Sequence, residues 1–256
     1  MRKRDTLPVL GSLLVLALAL CLWEWAAKTG EIDIFFFSSP SLVWDTLLSQ
    51  MSSGLLIRHL AVTLKEAALG LLFGAVLGCA TGLSLGASKA ASRAVMPIMT
   101  GLNGLPKLAL GPLIIIWFGI GISSKVIISG VMVYFVFVFN LYAGYQNVDS
   151  ELMNGVRLLG GTRKQIIRKV VWPSCLPWFL ASLRAGLGLS LAGAVVGEYL
   201  GSGKGLGWLI SDASGRYDIT LVLCCVFLIV ILMVILDGVV RLLERVLLKW
   251  RPEKRG

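Results

Sequence analysis

Few residues in this chain are of a type that does chemistry. There is one histidine, His59, and the five cysteines, Cys21, Cys79, Cys175, Cys224 and Cys225, stand mostly inside apolar runs with no C-x-x-C spacing. One histidine cannot build a His-based metal site, and no H-E-x-x-H pattern occurs, so the cysteines read as small buried hydrophobes. Gly201-Ser-Gly-Lys-Gly205 echoes the end of a phosphate-binding loop, yet no Ser or Thr follows Lys204, and Glu198 stands where the first glycine belongs. No Ser/His/Asp set is available, and no apolar run carries a carboxylate pair for acid–base work. The chain is expected to hydrolyse nothing and to bind no cofactor or metal itself.

What remains is a handful of polar side chains in apolar surroundings: Lys107, Arg184 and Glu198, with Asn103 and Asn140. These are the candidates for a pathway or a gate, because an ionisable group at membrane depth faces protein or a water-filled path. Glu198 closes an uncharged run and needs a partner, which leaves a gate, a substrate contact or a structural ion pair open. Arg184 invites the same choice, with contact to lipid phosphate added. Lys107 lies in Gly-Leu-Pro-Lys-Leu-Ala-Leu-Gly-Pro-Leu at 104–113, where Pro106 and Pro112 each remove a helix donor. Two readings stand: irregular backbone lining a pathway, or a kinked helix whose lysine snorkels to an interface. A cation at either position, Lys107 or Arg184, would suit an anionic solute.

The elements that must position these groups follow from composition. Of 256 residues, 57% are hydrophobic and 15% charged, with a mean hydropathy of +0.84. An ordinary soluble domain is about 45–50% apolar and about 25% charged. That excludes a disordered chain, a disulfide mini-protein and a coiled coil, and points to one integral membrane domain over 1–256. A bilayer core about 30 Å thick takes about 20 apolar helical residues. Six spans are expected, at about 7–27, 60–86, 94–118, 126–147, 179–200 and 219–240, with a long loop at about 148–178. The first run reads as a helix and not a cleaved signal, since Leu20 is too large for the box preceding a lipoprotein cysteine and no A-x-A site follows.

The net charge of +10 is explained by topology without nucleic acid. Arg2, Lys3, Arg4, Lys89, Arg93, the basic residues at 157–169 and those at 241–255 all fall on one side, and Lys28, Arg58, Lys125, Lys204 and Arg216 on the other. The positive-inside rule then puts both termini in the cytoplasm. In the second span Gly70, Gly74, Gly78, Gly82 and Gly86 recur every four residues, forming one ridge against which another helix backbone packs closely.

The 148–178 loop carries the most specific pattern. A short helix is expected to end at Gly160-Gly161, where a left-handed C-cap forms easily. Thr162 is placed to cap a second, amphipathic helix running to Pro173. Docking onto a partner and lying on anionic lipid are both open to such an element. Gly160, nine residues, then Val170-x-Trp172-Pro173 resembles the EAA signature of ABC-importer permeases, although Asn154-Gly155-Val156 stands where Glu-Ala-Ala is usual and Trp172 replaces leucine. Ser39-Pro40-Ser41, His59-Leu60, Thr63-Leu64, Pro106 to Pro112 with Trp117 to Gly121, Asn140 with Gly144, and Val195 to Gly207 are similar to the permeases for nitrate, sulfonate, taurine, bicarbonate and related solutes. The likeness covers roughly residues 35–240.

That resemblance implies an all-α type I importer permease (MetI-like) with six transmembrane helices. The implied assembly sits in the bacterial inner membrane and has two permease copies, two ATPase subunits that use ATP and Mg, and a periplasmic or extracellular solute-binding protein. By position, Asn154, Gly155, Val156, Arg157, Gly160, Gly161 and Pro173 become the ATPase-coupling residues. The expected function is passage of a small anionic solute. A stand-alone channel or secondary transporter is the alternative, although it would leave the basic loop without a task and offers few ionisable groups for ion coupling.

Overall fold

The computed structural model describes residues 6–249. Arg2, Lys3, Arg4, Arg251, Lys254 and Arg255, which contribute to the orientation argument, lie outside them. The described residues are helical and include no strand. Five helices are long and apolar enough to cross a bilayer: Leu10–Thr29, Leu55–Ala87, Ile122–Gln146, Arg163–Leu200 and Ile219–Leu247. The third expected span is different. It is a broken pair, Lys89–Asn103 and Lys107–Phe118, bent by 79°. Gly104, Pro106 and Pro112 account for the break, because prolines cannot donate to the preceding turn.

The chain falls into two compact units, Met1–His59 with Leu209–Val230, and Leu60–Trp208 with Ile231–Gly256. The first contains α1 (Thr6–Thr29), α2 (Ile34–Phe37) and α3 (Pro40–Ser52). Ser39 caps α3, its hydroxyl accepting from the Leu42 N–H, with Pro40 in the first turn where its missing donor costs nothing. Within this unit Glu24 takes Lys28 at 2.9 Å and the Ser41 N–H at 3.0 Å, and Trp23 stacks on Phe227.

The second unit holds the candidate site. Its elements are most of α4 (Leu55–Ala87), α5 (Lys89–Asn103), a 3-10 turn (Lys107–Leu110), α6 (Gly111–Phe118), α7 (Ile122–Gln146), α8 (Ser150–Leu158), α9 (Arg163–Ile166), a π turn (Ile167–Val171) and α10 (Trp172–Leu200). The start of α11 (Leu206–Gly215) and the end of α12 (Ile219–Leu247) complete it.

α4 lies against α7 along its glycine ridge. A methyl group at Gly78 would stand 2.5 Å from Phe137 Cβ and 2.7 Å from the Tyr134 carbonyl, and Gly74 and Gly82 face the Gly130 and Val138 carbonyls. Only the missing side chains allow the two backbones to approach so closely, which is how helices gain van der Waals contact in lipid. α7 meets α10 as tightly: the buried Ser129 hydroxyl donates to the Ser190 carbonyl at 2.8 Å. The core runs from Val133, Phe137 and Leu141 of α7 through Cys175 to Val148, Ile166, Val170 and Val171. One apolar core therefore joins the membrane helices to the segment around α8 and α9.

Candidate functional site

Three groups of residues carry the functional reading, all in the second unit. The first is the segment 150–173. Asp149 caps α8 through the Glu151 N–H at 2.8 Å. The helix ends before Gly160, whose φ of +76° is the left-handed conformation that glycine adopts without strain. The Gly160 N–H donates to the Arg157 carbonyl and the Gly161 N–H to the Val156 carbonyl. Thr162 then starts α9 with a complete capping box, the Thr162 N–H donating to Gln165 Oε1 at 2.7 Å and the Gln165 N–H to Thr162 Oγ1.

The second helix of this segment does not stop at Pro173, as the sequence pattern predicts, but continues into α10. Pro173 offers no N–H to the turn before it, and the chain answers with a π turn in which the Trp172 N–H reaches the Ile167 carbonyl five residues back.

α8 buries none of its residues. Leu158 and Leu159 are each 89% exposed, among the most exposed large hydrophobic side chains described. Gly155 and Gly160 face open space, Arg157 donates to Asn154 Oδ1 at 3.2 Å, and Gly161 packs on Val156. Behind this segment a cavity of about 680 Å3 is lined by Ser84 and Ser88 beside the end of α4, Tyr145, Arg157, Arg163 and Ile166.

The second group is the set of pathway candidates. Lys107 opens the 3-10 turn and donates to the Asn103 carbonyl at the end of α5, 2.6 Å away, while its ammonium stands 5.0 Å from the centre of the Phe135 ring. A helix C-terminus and an aromatic face both favour a cation, but neither neutralises it, and among the described residues no carboxylate pairs with Lys107. Arg184 is different. Its Nε is 2.6 Å from Asp237, which also takes Arg241 at 2.7 Å. Asn103 is exposed at the break, and Asn140 is half-buried on α7.

The third group surrounds Glu198, which is fully buried at the end of α10. Its carboxylate accepts from Thr63 Oγ1 at 2.7 Å and from the Gly207 N–H at 2.7 Å, while Thr63 Oγ1 accepts from the Leu206 N–H. Gly205, at φ +103°, lies so close that any side chain there would enter the carboxylate. Glu66, also buried, stands beside Glu198. Lys125, 1% exposed, donates to the Gly201 carbonyl at 2.6 Å and to the Ile120 carbonyl. The cluster ties α4, α7, the end of α10 and the 201–207 turn together.

Sequence reasoning passed over Glu66, Lys125, Asp237, Leu158 and Leu159. A signal existed for Glu66: it stands four residues before Gly70, so it continues the glycine ridge onto α7. Asp237, an acid inside the last apolar run, was visible as a partner for Arg184.

A family profile described as "Binding-protein-dependent transport system inner membrane component" matches residues 70–249. The riboflavin transport system permease protein RibX of Chloroflexus aurantiacus is 34% identical over 97% of this chain and 92% of its own length. The putative aliphatic sulfonates transport permease protein SsuC of Bacillus subtilis is 34% identical over 95% of this chain and 88% of its own. The taurine transport system permease protein TauC of Escherichia coli is 30% identical over 93% and 88%. Among solved structures, an inward-facing MetNI methionine ABC transporter superposes with a TM-score of 0.69 at 21% identity, over 77% of this chain and 98% of that one, a likeness of fold.

Proposed function

This chain belongs to the family of binding-protein-dependent transport system inner membrane components, and from that premise we propose its solute class, its assembly and its orientation. It is a permease subunit and not an enzyme, ATP hydrolysis in these systems belonging to a separate subunit. That membership sets aside the stand-alone channel and the secondary transporter.

The reading is as follows. Two copies of the chain line a path for a small anionic solute, delivered by an external solute-binding protein and driven by two ATPase subunits. Both termini and the 148–178 loop face the cytoplasm of a bacterial inner membrane. α8 seats in the ATPase, with Asn154, Gly155, Val156 and Arg157 in the groove, Leu158 and Leu159 as its apolar knob, and Gly160, Gly161 and Pro173 setting the turn that follows. Movement of this segment passes through Ile166, Val170 and Val171 into α7 and α10, and alternating access follows from their rocking.

The observation that carries the solute class is Lys107. It stands at a broken span with no carboxylate paired to it among the described residues, whereas Arg184 is paired with Asp237, which it shares with Arg241. The names of the sulfonate and taurine relatives support the same class. The test is uptake into proteoliposomes holding the complex purified with its co-eluting ATPase and binding protein. Uptake of a short alkanesulfonate is expected, reduced at least tenfold by Lys107→Ala with ATPase activity retained. Uptake of riboflavin alone, or sulfonate uptake unaffected by Lys107→Ala, would overturn the assignment.

A further inference from the structure

Arg184 of α10 and Arg241 of α12 close on one carboxylate. Arg184 Nε donates to Asp237 Oδ1 at 2.6 Å, and Arg241 Nε donates to Asp237 Oδ2 at 2.7 Å. Each guanidinium thereby commits its inner donor and keeps its terminal nitrogens, which have no hydrogen-bonding partner among the described residues. Nor does any other described carboxylate pair with either arginine. The two side chains are 42% and 63% exposed, so the terminal nitrogens are within reach of a ligand. Two cations share one anion, and one positive charge is left over.

The place of that charge decides what meets it. α12 opens at Ile219, and no charged residue occurs from there to Leu236. At 1.5 Å per residue Asp237 lies about 27 Å and Arg241 about 33 Å along the helix, against a hydrocarbon core about 30 Å thick. The trio therefore stands at headgroup level, whichever way the chain is oriented. Val234, three residues before Asp237 and on its face of α12, is exposed, and a side chain at Gly238 would meet nothing within 4 Å. One turn away α10 and α12 touch, since a methyl group at Gly188 would stand 3.3 Å from Met233 Cε. The same outer face thus passes from apolar to cationic where the hydrocarbon ends.

An uncompensated cation beside hydrocarbon is costly, and a phosphate cancels it. The paired N–H groups of a guanidinium match the paired oxygens of a phosphate, and Asp237 already holds both arginines in place. A zwitterionic headgroup brings its own cation and leaves the excess charge standing. A free phosphate ion makes no use of the apolar face beside the arginines.

We propose that Arg184 and Arg241, held through Nε by Asp237, bind the phosphate of an anionic phospholipid at the α10–α12 seam. The site is separate from Lys107 and needs neither the solute class, the ATPase docking nor the orientation proposed above.

The test is native mass spectrometry of the full complex, titrated with phosphatidylglycerol, phosphatidylcholine and inorganic phosphate. Saturable binding of phosphatidylglycerol is expected, roughly tenfold tighter than phosphatidylcholine and not displaced by inorganic phosphate. Arg241→Gln leaves Arg184 on Asp237, so the two helices stay tied, and it should weaken phosphatidylglycerol about tenfold at an unchanged thermal midpoint. Arg245→Gln removes an exposed cation one turn further on that Asp237 does not hold, and binding should stay within about twofold. Should Arg241→Gln fail to assemble, Arg241→Lys serves instead: it keeps the charge, loses the fork and should still weaken binding several-fold. Equal binding of the two lipids, displacement by inorganic phosphate, full affinity in a folded Arg241→Gln or Arg241→Lys variant, or an equal loss in Arg245→Gln would each overturn the proposal.

Discussion

At one end of the second unit's α4, Thr63 and Glu66 meet Glu198, Lys125 and the backbone of 205–207, every one of these side chains at most 4% exposed. Eighteen residues along the same helix from Glu66, about 27 Å at 1.5 Å per residue, Ser84 and Ser88 border a cavity behind α8, which has no fully buried residue and leaves Leu158 and Leu159 exposed. At the first end Glu198, Thr63 and the N–H groups of Leu206 and Gly207 pair with one another inside the chain, and Glu66 Oε2 beside them has no hydrogen-bond partner among the described residues. Apolar groups at the second are uncovered, which suits the docking role proposed for this segment. Substitutions at the two ends should therefore fail in different assays.

The largest effect belongs to the closed end. Glu198→Ala removes the acceptor of Thr63 and of the Gly207 N–H and leaves Lys125 with one carboxyl group fewer. Breaking a buried charged network by removing one member costs about 3–5 kcal/mol. A fall of that size in unfolding stability of the purified permease is expected, with Thr63→Val smaller at about 1–3 kcal/mol, because two donors or acceptors lose a neutral partner. If Glu198→Ala keeps the wild-type midpoint but loses uptake, the cluster is a gate and not a tie, and the contrast between the two ends collapses.

The open end should show the converse. Leu158→Asp with Leu159→Asp alters side chains that touch nothing in the free chain, so stability should stay within about 0.5 kcal/mol. Association with the ATPase should weaken by about 2 kcal/mol, roughly thirtyfold, the size expected when an apolar anchor is removed from an interface. Pull-down and titration of the ATPase against the variant measure it. Undiminished association would mean that the exposed leucines rest on lipid, and the basic residues at 163–169 would then belong to the same membrane face.

How far the sequence reaches differs between the two ends for a physical reason. Local pattern suffices at the open end: Gly160, Thr162 and Pro173 impose their backbone preferences within a few residues, and the capping box and left-handed turn stand where those preferences put them. Only the π turn escapes, since it depends on how the chain compensates Pro173 across five residues. At the closed end the partners come from three stretches far apart in sequence, 63–66, 120–125 and 198–207. The glycine ridge announces a close neighbour for α4 but not which helix supplies it. Lys125 reads as a loop cation on hydropathy, yet in the fold its ammonium is drawn in by two carbonyls. The 79° bend lies between: two prolines announce irregularity, and the angle is set by what packs against them.

The smallest effect sharpens the contrast most locally. The box formed by Thr162 and Gln165 is exposed, so it contributes through the helix start alone and not through burial. Thr162→Ala deletes the side-chain acceptor for the Gln165 N–H and should cost about 1 kcal/mol of local helix stability. Because the cost falls on the start of α9 and not on the α4–α7 interface, the global midpoint should be unchanged. Amide exchange at 163–166 should accelerate roughly fivefold in the free permease. In the complex with its ATPase the difference should shrink, since a docked α8 holds the turn from its other side. Equal acceleration with and without ATPase would detach α9 from the docking surface and confine that surface to α8 and the two leucines.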